Sequence, residues 1–172
     1  MKYHARHVLK GTLEEVLEIV MDRSRDPRVY PNITSLRETR RHETDDELTC
    51  EYLVCGDGEI PAPLRLIANH NMFTWREHGC WDKKRNIYTY HLKPFYFKHL
   101  VHAHGAIKFT PMDGETVLRE IDAEMRIDIP LLGGLAAKTI AGYQLDNYRR
   151  EEKLFHKYLE EHRKKKGAGD RV

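Results

Sequence analysis

No stretch of the chain approaches the roughly 18 apolar residues that a membrane-spanning helix needs. Cysteine is scarce. Cys50, Cys55 and Cys80 are an odd set without the spacing of a disulfide framework, which fits a reducing compartment. Residues 1–10 hold no apolar signal region, so a cytoplasmic location is expected. An excess of one charge is missing too. The 29 Lys and Arg face 27 Asp and Glu, which lacks the basic footprint of a nucleic-acid binder. There is no serine nucleophile elbow, no glycine-rich phosphate loop and no acidic metal cluster, so no cofactor is expected.

What is present suffices for one core. The 172 residues are 40% hydrophobic and 33% charged, the balance of a soluble globular chain. At this length roughly 70% of the unfolded surface can be buried without a disulfide or metal staple. One domain over residues 1–166 is expected, with a disordered tail at 167–172.

Tyr3, Ala5, His7 and Leu9 alternate with polar neighbours, a strand signal that Gly11 breaks. Thr12 and Glu15 then have the spacing of a capping box, opening a helix with Leu13, Val16, Leu17 and Val20 on one face. Asp26-Pro27 stops or kinks it, and a short helix or turn is expected over 27–32. Ser35 to Glu43 reads as a polar edge strand, turning at 44–46 into the alternating Leu48, Cys50, Tyr52 and Val54. Pro63 to His78 reads as a long strand whose apolar parity switches between Leu64/Leu66 and Phe73/Trp75, which predicts a bulge. A polar turn at 82–86 leads into Ile87 to Leu92.

The clearest hairpin joins 103–111 to 115–129 through Asp113-Gly114, the dipeptide of a type I′ turn. Val117, Ile121, Ala123, Met125, Ile127 and Ile129 share its buried face. From Leu132 to Lys165 the period becomes helical. The stripe Leu132, Leu135, Ala136, Ile140, Tyr143, Leu154, Phe155, Tyr158 and Leu159 has a gap near Asn147. The last two turns, ending in Arg163 to Lys166, are charged on nearly every side and are expected to fray.

Strands closed by one long helix imply an α+β fold, a curved antiparallel sheet of about six or seven strands around a C-terminal helix. Periodicity leaves two options open between them: a solid core or an apolar pocket.

Asp26-Pro27-Arg28-Val29-Tyr30-Pro31-Asn32, after an amphipathic helix, resembles the D-P-x-x-Y-P element of the SRPBCC superfamily. This is the START-like, helix-grip group that includes polyketide cyclase/dehydrase-like and coenzyme-Q-binding proteins. Ile129 to Lys138 looks like that group's entry to its last helix, and Gly114-Glu115-Thr116-Val117 sits where the group keeps a G-G-T turn. The resemblance implies a helix-grip fold with a cavity. Tyr52, Phe73, Trp75, Tyr88, Tyr90, Arg119, Ala123 and Met125 from the sheet are then its expected lining, with Leu135, Ala136, Ile140 and Tyr143 from the helix.

Eleven histidines raise a metal reading. His102 and His104 would share one side of a strand near His99, but no oriented partner set stands by, so no metal is expected. His70, His78 and His91 are strand histidines near aromatics, where one could anchor a ligand or act as a base. Arg119 interrupts an apolar face. Pointing inward, it requires a carboxylate from another element or a ligand oxygen. Phe95, Tyr96 and Phe97 stand beside Lys98 and His99, so residues 94–101 could close a pocket mouth or touch a membrane transiently. The cysteines show no matched base.

Three functions follow as expectations. The first is binding or transport of a hydrophobic small molecule: a lipid, an isoprenoid quinone or a polyketide-like compound. The second is a cyclase or aromatase using the same pocket, with His70, His91, Tyr90 and Arg119 as catalytic candidates. The third is an interaction module using the aromatic loop and the basic tail.

Overall fold

The computed structural model describes residues 1–21, 32–66, 68, 69 and 72–169, with side chains to residue 166. In chain order these form β1 (Lys2–Lys10), α1 (Leu13–Met21), β2 (Ile33–Glu43), β3 (Glu47–Gly56), a 3-10 turn (Ala62–Leu66), β4 (Thr74–Asp82), β5 (Ile87–Pro94), β6 (Val101–Pro111), β7 (Thr116–Ile127) and α2 (Gly133–Gly169). The strands make one seven-stranded antiparallel sheet in the order β1-β7-β6-β5-β4-β3-β2. This is the helix-grip α+β architecture. Among the described residues no helix is long and apolar enough to cross a membrane.

The local signals act as their chemistry requires. Thr12 N–H donates to Glu15 Oε2 at 2.9 Å and Glu15 N–H to Thr12 Oγ1 at 3.3 Å, a reciprocal capping box that starts α1. Val16, Ile19 and Val20 of α1 are buried. β2 is an edge strand, and Arg37, Arg40 and Arg41 along it discourage pairing with another chain. The motif at 26–32 lies outside the described residues except for Asn32.

Two expectations about the strands need correction. Residues 63–78 are not one strand. Pro63 has no N–H for a sheet ladder, and it sits in the 3-10 turn, while β4 begins only at Thr74. The parity switch therefore separates two elements and marks no bulge. Register shifts occur instead between β2 and β3, at Ile33/Ser35 and Glu38/Arg40. The hairpin after β6 is not type I′, which needs positive φ at both central residues. Gly114 alone in that loop has it (φ 82°), and Asp113 Oδ1 accepts from Glu115 N–H and Thr116 Oγ1 at 3.1 and 2.8 Å.

α2 is about 55 Å long at 1.5 Å per residue. A Cβ on Gly133 would stand 1.9 Å from the Ile127 carbonyl oxygen, so only glycine lets the helix start against the end of β7. The far end is not frayed. Arg163 Nε and Nη2 reach Glu15 at 2.7 and 3.0 Å, Lys166 Nζ reaches Glu18 at 2.8 Å, and His162 Nε2 reaches Glu18 at 2.7 Å. The cationic turns are latched to the acidic first turns of α1.

The buried apolar residues form two clusters. The larger contains Leu9, Val16, Trp81, Phe109, Ile121, Phe155 and Leu159 beneath α1 and the second half of α2. The smaller contains Ala103, Met125, Ile127 and Ala137 at the start of α2. Between sheet and helix, space remains.

Candidate ligand cavity

A cavity of about 240 Å³ opens between the sheet and the first half of α2. Its walls are Val54, Leu92, Ala103, Ile107, Met125 and Ile127 from the strands, Ala136 and Ile140 from α2, and Ile60 and Leu64 from the segment around the 3-10 turn. Tyr96, Phe97, Val101 and Ile129 also line it.

Polar groups gather toward the middle of α2: Tyr90, Arg119, Gln144, Asn147, Tyr148 and Glu151 all line the space. Tyr90 Oη lies 3.4 Å from Tyr148 Oη, and Tyr3 Oη donates to Gln144 Oε1. Burial pushes the hydroxyl pKa of Tyr90 and of Tyr3 upward, so both stay protonated and can donate. Asn32 Nδ2 donates to Tyr143 O at 3.4 Å and Asn147 Oδ1 at 3.3 Å, tying the start of β2 to α2.

Arg119 points inward and is 1% exposed. Its Nη1 donates to Glu151, and its Nη2 contacts His7 Nδ1 at 3.2 Å and Tyr148 O at 3.3 Å. The carboxylate that its burial demanded therefore comes from α2. Its Nε is buried without a partner among the described residues. Burial, then the Arg119 cation, holds His7 below the ordinary histidine pKa, so the ring is neutral at neutral pH and Nδ1 can accept.

Of the residues expected on the cavity, Phe73, Trp75, Tyr90, Arg119, Met125, Ala136, Ile140 and Tyr143 stand on its wall. Tyr52 and Tyr88 are not on it. They are packed into the larger core cluster, with Tyr88 Oη lying over Gly79, where a Cβ would come within 1.9 Å of it. Ala123 is buried on the same face without reaching the space, and Leu135 is exposed on the far side of the first helical turn.

Neither His78 nor His91 lines the cavity. His91 faces outward because inward Tyr90 fixes the parity of β5. It stacks on His78 with ring centroids 4.7 Å apart, and the register carries this row on to His104. His102 is also outward, 3.6 Å from Asp128. His70 lies outside the described residues. No group of three His, Cys, Asp or Glu among the described residues could hold a metal ion.

Glu77 was missed. It is 9% exposed, lines the cavity from β4, and accepts from Tyr88 Oη at 2.9 Å. Its signal is the alternation Trp75, Glu77, Gly79, Trp81, which places a carboxylate on an otherwise apolar face. Gln144, Tyr148 and Glu151 were missed as well. They are the gap in the helix's apolar stripe, and they face the cavity's polar end.

No family model matches this sequence, and no curated protein matches it. Solved structures do match its fold. A protein of Thermus thermophilus superposes with a TM-score of 0.65 at 16% identity, over 92% of this chain and 97% of that one. The ZhuI aromatase/cyclase of a Streptomyces species gives a TM-score of 0.60 at 16% identity, over 93% and 94%. A START superfamily protein of Mycobacterium smegmatis gives 0.59 at 14%, over 91% and 97%. Seven strands closed around one long helix, with a cavity between them, give this chain a START-like, helix-grip fold.

Proposed function

We propose that the protein binds and carries a hydrophobic small molecule of lipid, isoprenoid-quinone or polyketide type in this cavity, in the cytoplasm. The observation that carries the reading is a cavity with apolar walls and one polar end. Pockets for small ligands share that design, since apolar walls supply affinity and a few polar groups fix orientation. An engineered apolar cavity of about 150 Å³ holds a benzene ring, and this one, at about 240 Å³, is larger. Trp75 Nε1 is buried without a partner among the described residues, which supports a ligand bearing a carbonyl or hydroxyl oxygen.

Native mass spectrometry of the purified protein should show a bound apolar species that organic solvent releases. Ala103→Phe, which fills the space from β6, should abolish that species and weaken uptake of an apolar fluorescent dye. A wild-type protein free of ligand, with dye uptake unchanged by Ala103→Phe, sinks the reading.

A second reading, a cyclase or aromatase, is favoured by Tyr90, Arg119 and Glu77 meeting on one cavity. Arg119 already bonds Glu151, His7 and Tyr148 through its Nη groups, so it serves as a positioning residue. Tyr90 and Glu77 are left to move protons. In this reading Tyr90→Phe and Glu77→Gln lower turnover of a poly-β-ketone substrate mimic while its binding persists. Unchanged turnover in both excludes it.

A further inference from the structure

Six of the nine large exposed apolar side chains among the described residues fall in three segments that border the cavity. Leu66 closes the 3-10 turn and is 86% exposed. Phe95, Tyr96 and Phe97, exposed to about the same degree as one another, follow β5. Leu131, wholly exposed, precedes α2, and Leu135 lies in its first turn. These segments adjoin. Asp128 N–H donates to the Leu100 carbonyl at 2.7 Å, which ties the loop after β5 to the approach to α2. Phe97 itself lines the cavity, as do Leu64, Ile129 and Ala136, which lie within two residues of the exposed side chains in the other segments.

Two of these side chains stand on backbone that L-residues rarely adopt: Phe97 at φ 56° and Leu131 at φ 63°. Asn or Gly would take up that conformation with less strain. The turn at Leu131 closes Leu132 N–H onto Pro130 O and Gly133 N–H onto Ile129 O, both at 2.8 Å, bonds that asparagine or glycine would make equally well, while the leucine side chain itself makes no buried contact. Strain kept on a fully exposed leucine points to a contact outside the chain.

The surrounding charge says which contact. Lys93, Lys98 and Lys138 are exposed and have no ion-pair partner among the described residues. The nearby acids are already answered, Asp128 by Arg126 at 3.3 Å and Glu59 by Arg65 at 4.0 Å. Aromatic and leucine tips inside a set of free lysines match an anionic bilayer surface, where rings and leucines enter the headgroup–acyl boundary and lysines meet phosphates. We propose that these segments dock the protein on anionic phospholipid membranes, seating Phe95, Tyr96, Leu131 and Leu135 in the boundary. The mouth beside Phe97 then opens directly onto lipid.

The test is co-sedimentation of the full chain with phosphatidylcholine vesicles, with and without about one third phosphatidylserine. The wild type should sediment with the anionic vesicles, less so at high salt. Leu131→Asn keeps the left-handed backbone, so its melting temperature should stay the same or rise. Combined with Phe95→Ser, it should weaken vesicle binding about tenfold or more. Lys93→Glu with Lys98→Glu should weaken it as well. Neither Leu131 nor Phe95 lines the cavity, so ligand retention by native mass spectrometry should be unaltered, and it reads the cavity separately. A wild type that stays in the supernatant overturns the docking proposal. So does equal binding to neutral vesicles, or a Leu131→Asn/Phe95→Ser variant that binds like the wild type.

Discussion

Arg119 on β7 and Glu151 on α2 form an ion pair sealed from water, with side chains 1% and 7% exposed. It fastens the long helix to the sheet at the polar end of the cavity. A buried pair contributes little net stability over apolar residues, but losing one partner strands the other charge. Arg119→Met or Glu151→Met should each cost about 3–5 kcal/mol in urea unfolding. The double substitution should recover much of that loss, and a strictly additive cycle would show that the two groups are not coupled.

His7 gives the pair a pH dependence. Its folded pKa lies below the ordinary 6.5, chiefly through burial and then through Arg119. The unfolded chain therefore takes up this proton first. The contribution of His7 to stability is full above pH 6.5 and falls as pH drops toward the lowered folded value. His7→Gln should flatten that fall, read as melting temperature against pH.

Glu15 gives a second window at lower pH. Its carboxyl is held down to about 2, first by the hydrogen bond from Arg163. Glu18 is lowered too, first by Lys166. Stability from this latch is full above the unfolded carboxyl value of 4.5 and is lost as pH falls toward about 2. Arg163 is 58% exposed, so solvent screens the pair and the effect is modest. Arg163→Gln should remove part of the acid-side loss and leave the neutral-pH fold intact by circular dichroism.

Gly79 is occupied space. Its missing Cβ is where Tyr88 Oη lies, 1.9 Å away, and the same hydroxyl donates to Glu77. Gly79→Ala should cost about 1–3 kcal/mol by overpacking. It should also turn Tyr88 away from Glu77, visible as a changed tyrosine fluorescence or ring NMR shift.

Much of this fold is legible in local chemistry. The Thr12–Glu15 box, the alternation along β7 and the inward Arg119 follow from residue type and spacing alone. What was not legible depends on distant partners. Pro63 to Leu66 carries strand-like residues but curls over the sheet, because prolines at 61 and 63 forgo the ladder. His91 stands outward because Tyr88 and Tyr90 take the inward side of β5, and which of the two alternating sets turns inward is decided only by packing in the assembled sheet. The stripe gap near Asn147 was visible, yet its meaning appears only when Gln144, Tyr148 and Glu151 meet Tyr90 and Arg119 across the cavity.

The strand order has a consequence for how the chain is made. β1 leaves the ribosome first, yet its sole neighbour is β7, the last strand to emerge. Roughly 100 residues separate them, on the order of 5–20 s of synthesis. Through that interval Leu9 and the apolar face of α1 have no β7 to rest on. The β1–α1 segment therefore stays uncovered until β7 follows it, and the sheet can take its final order only then.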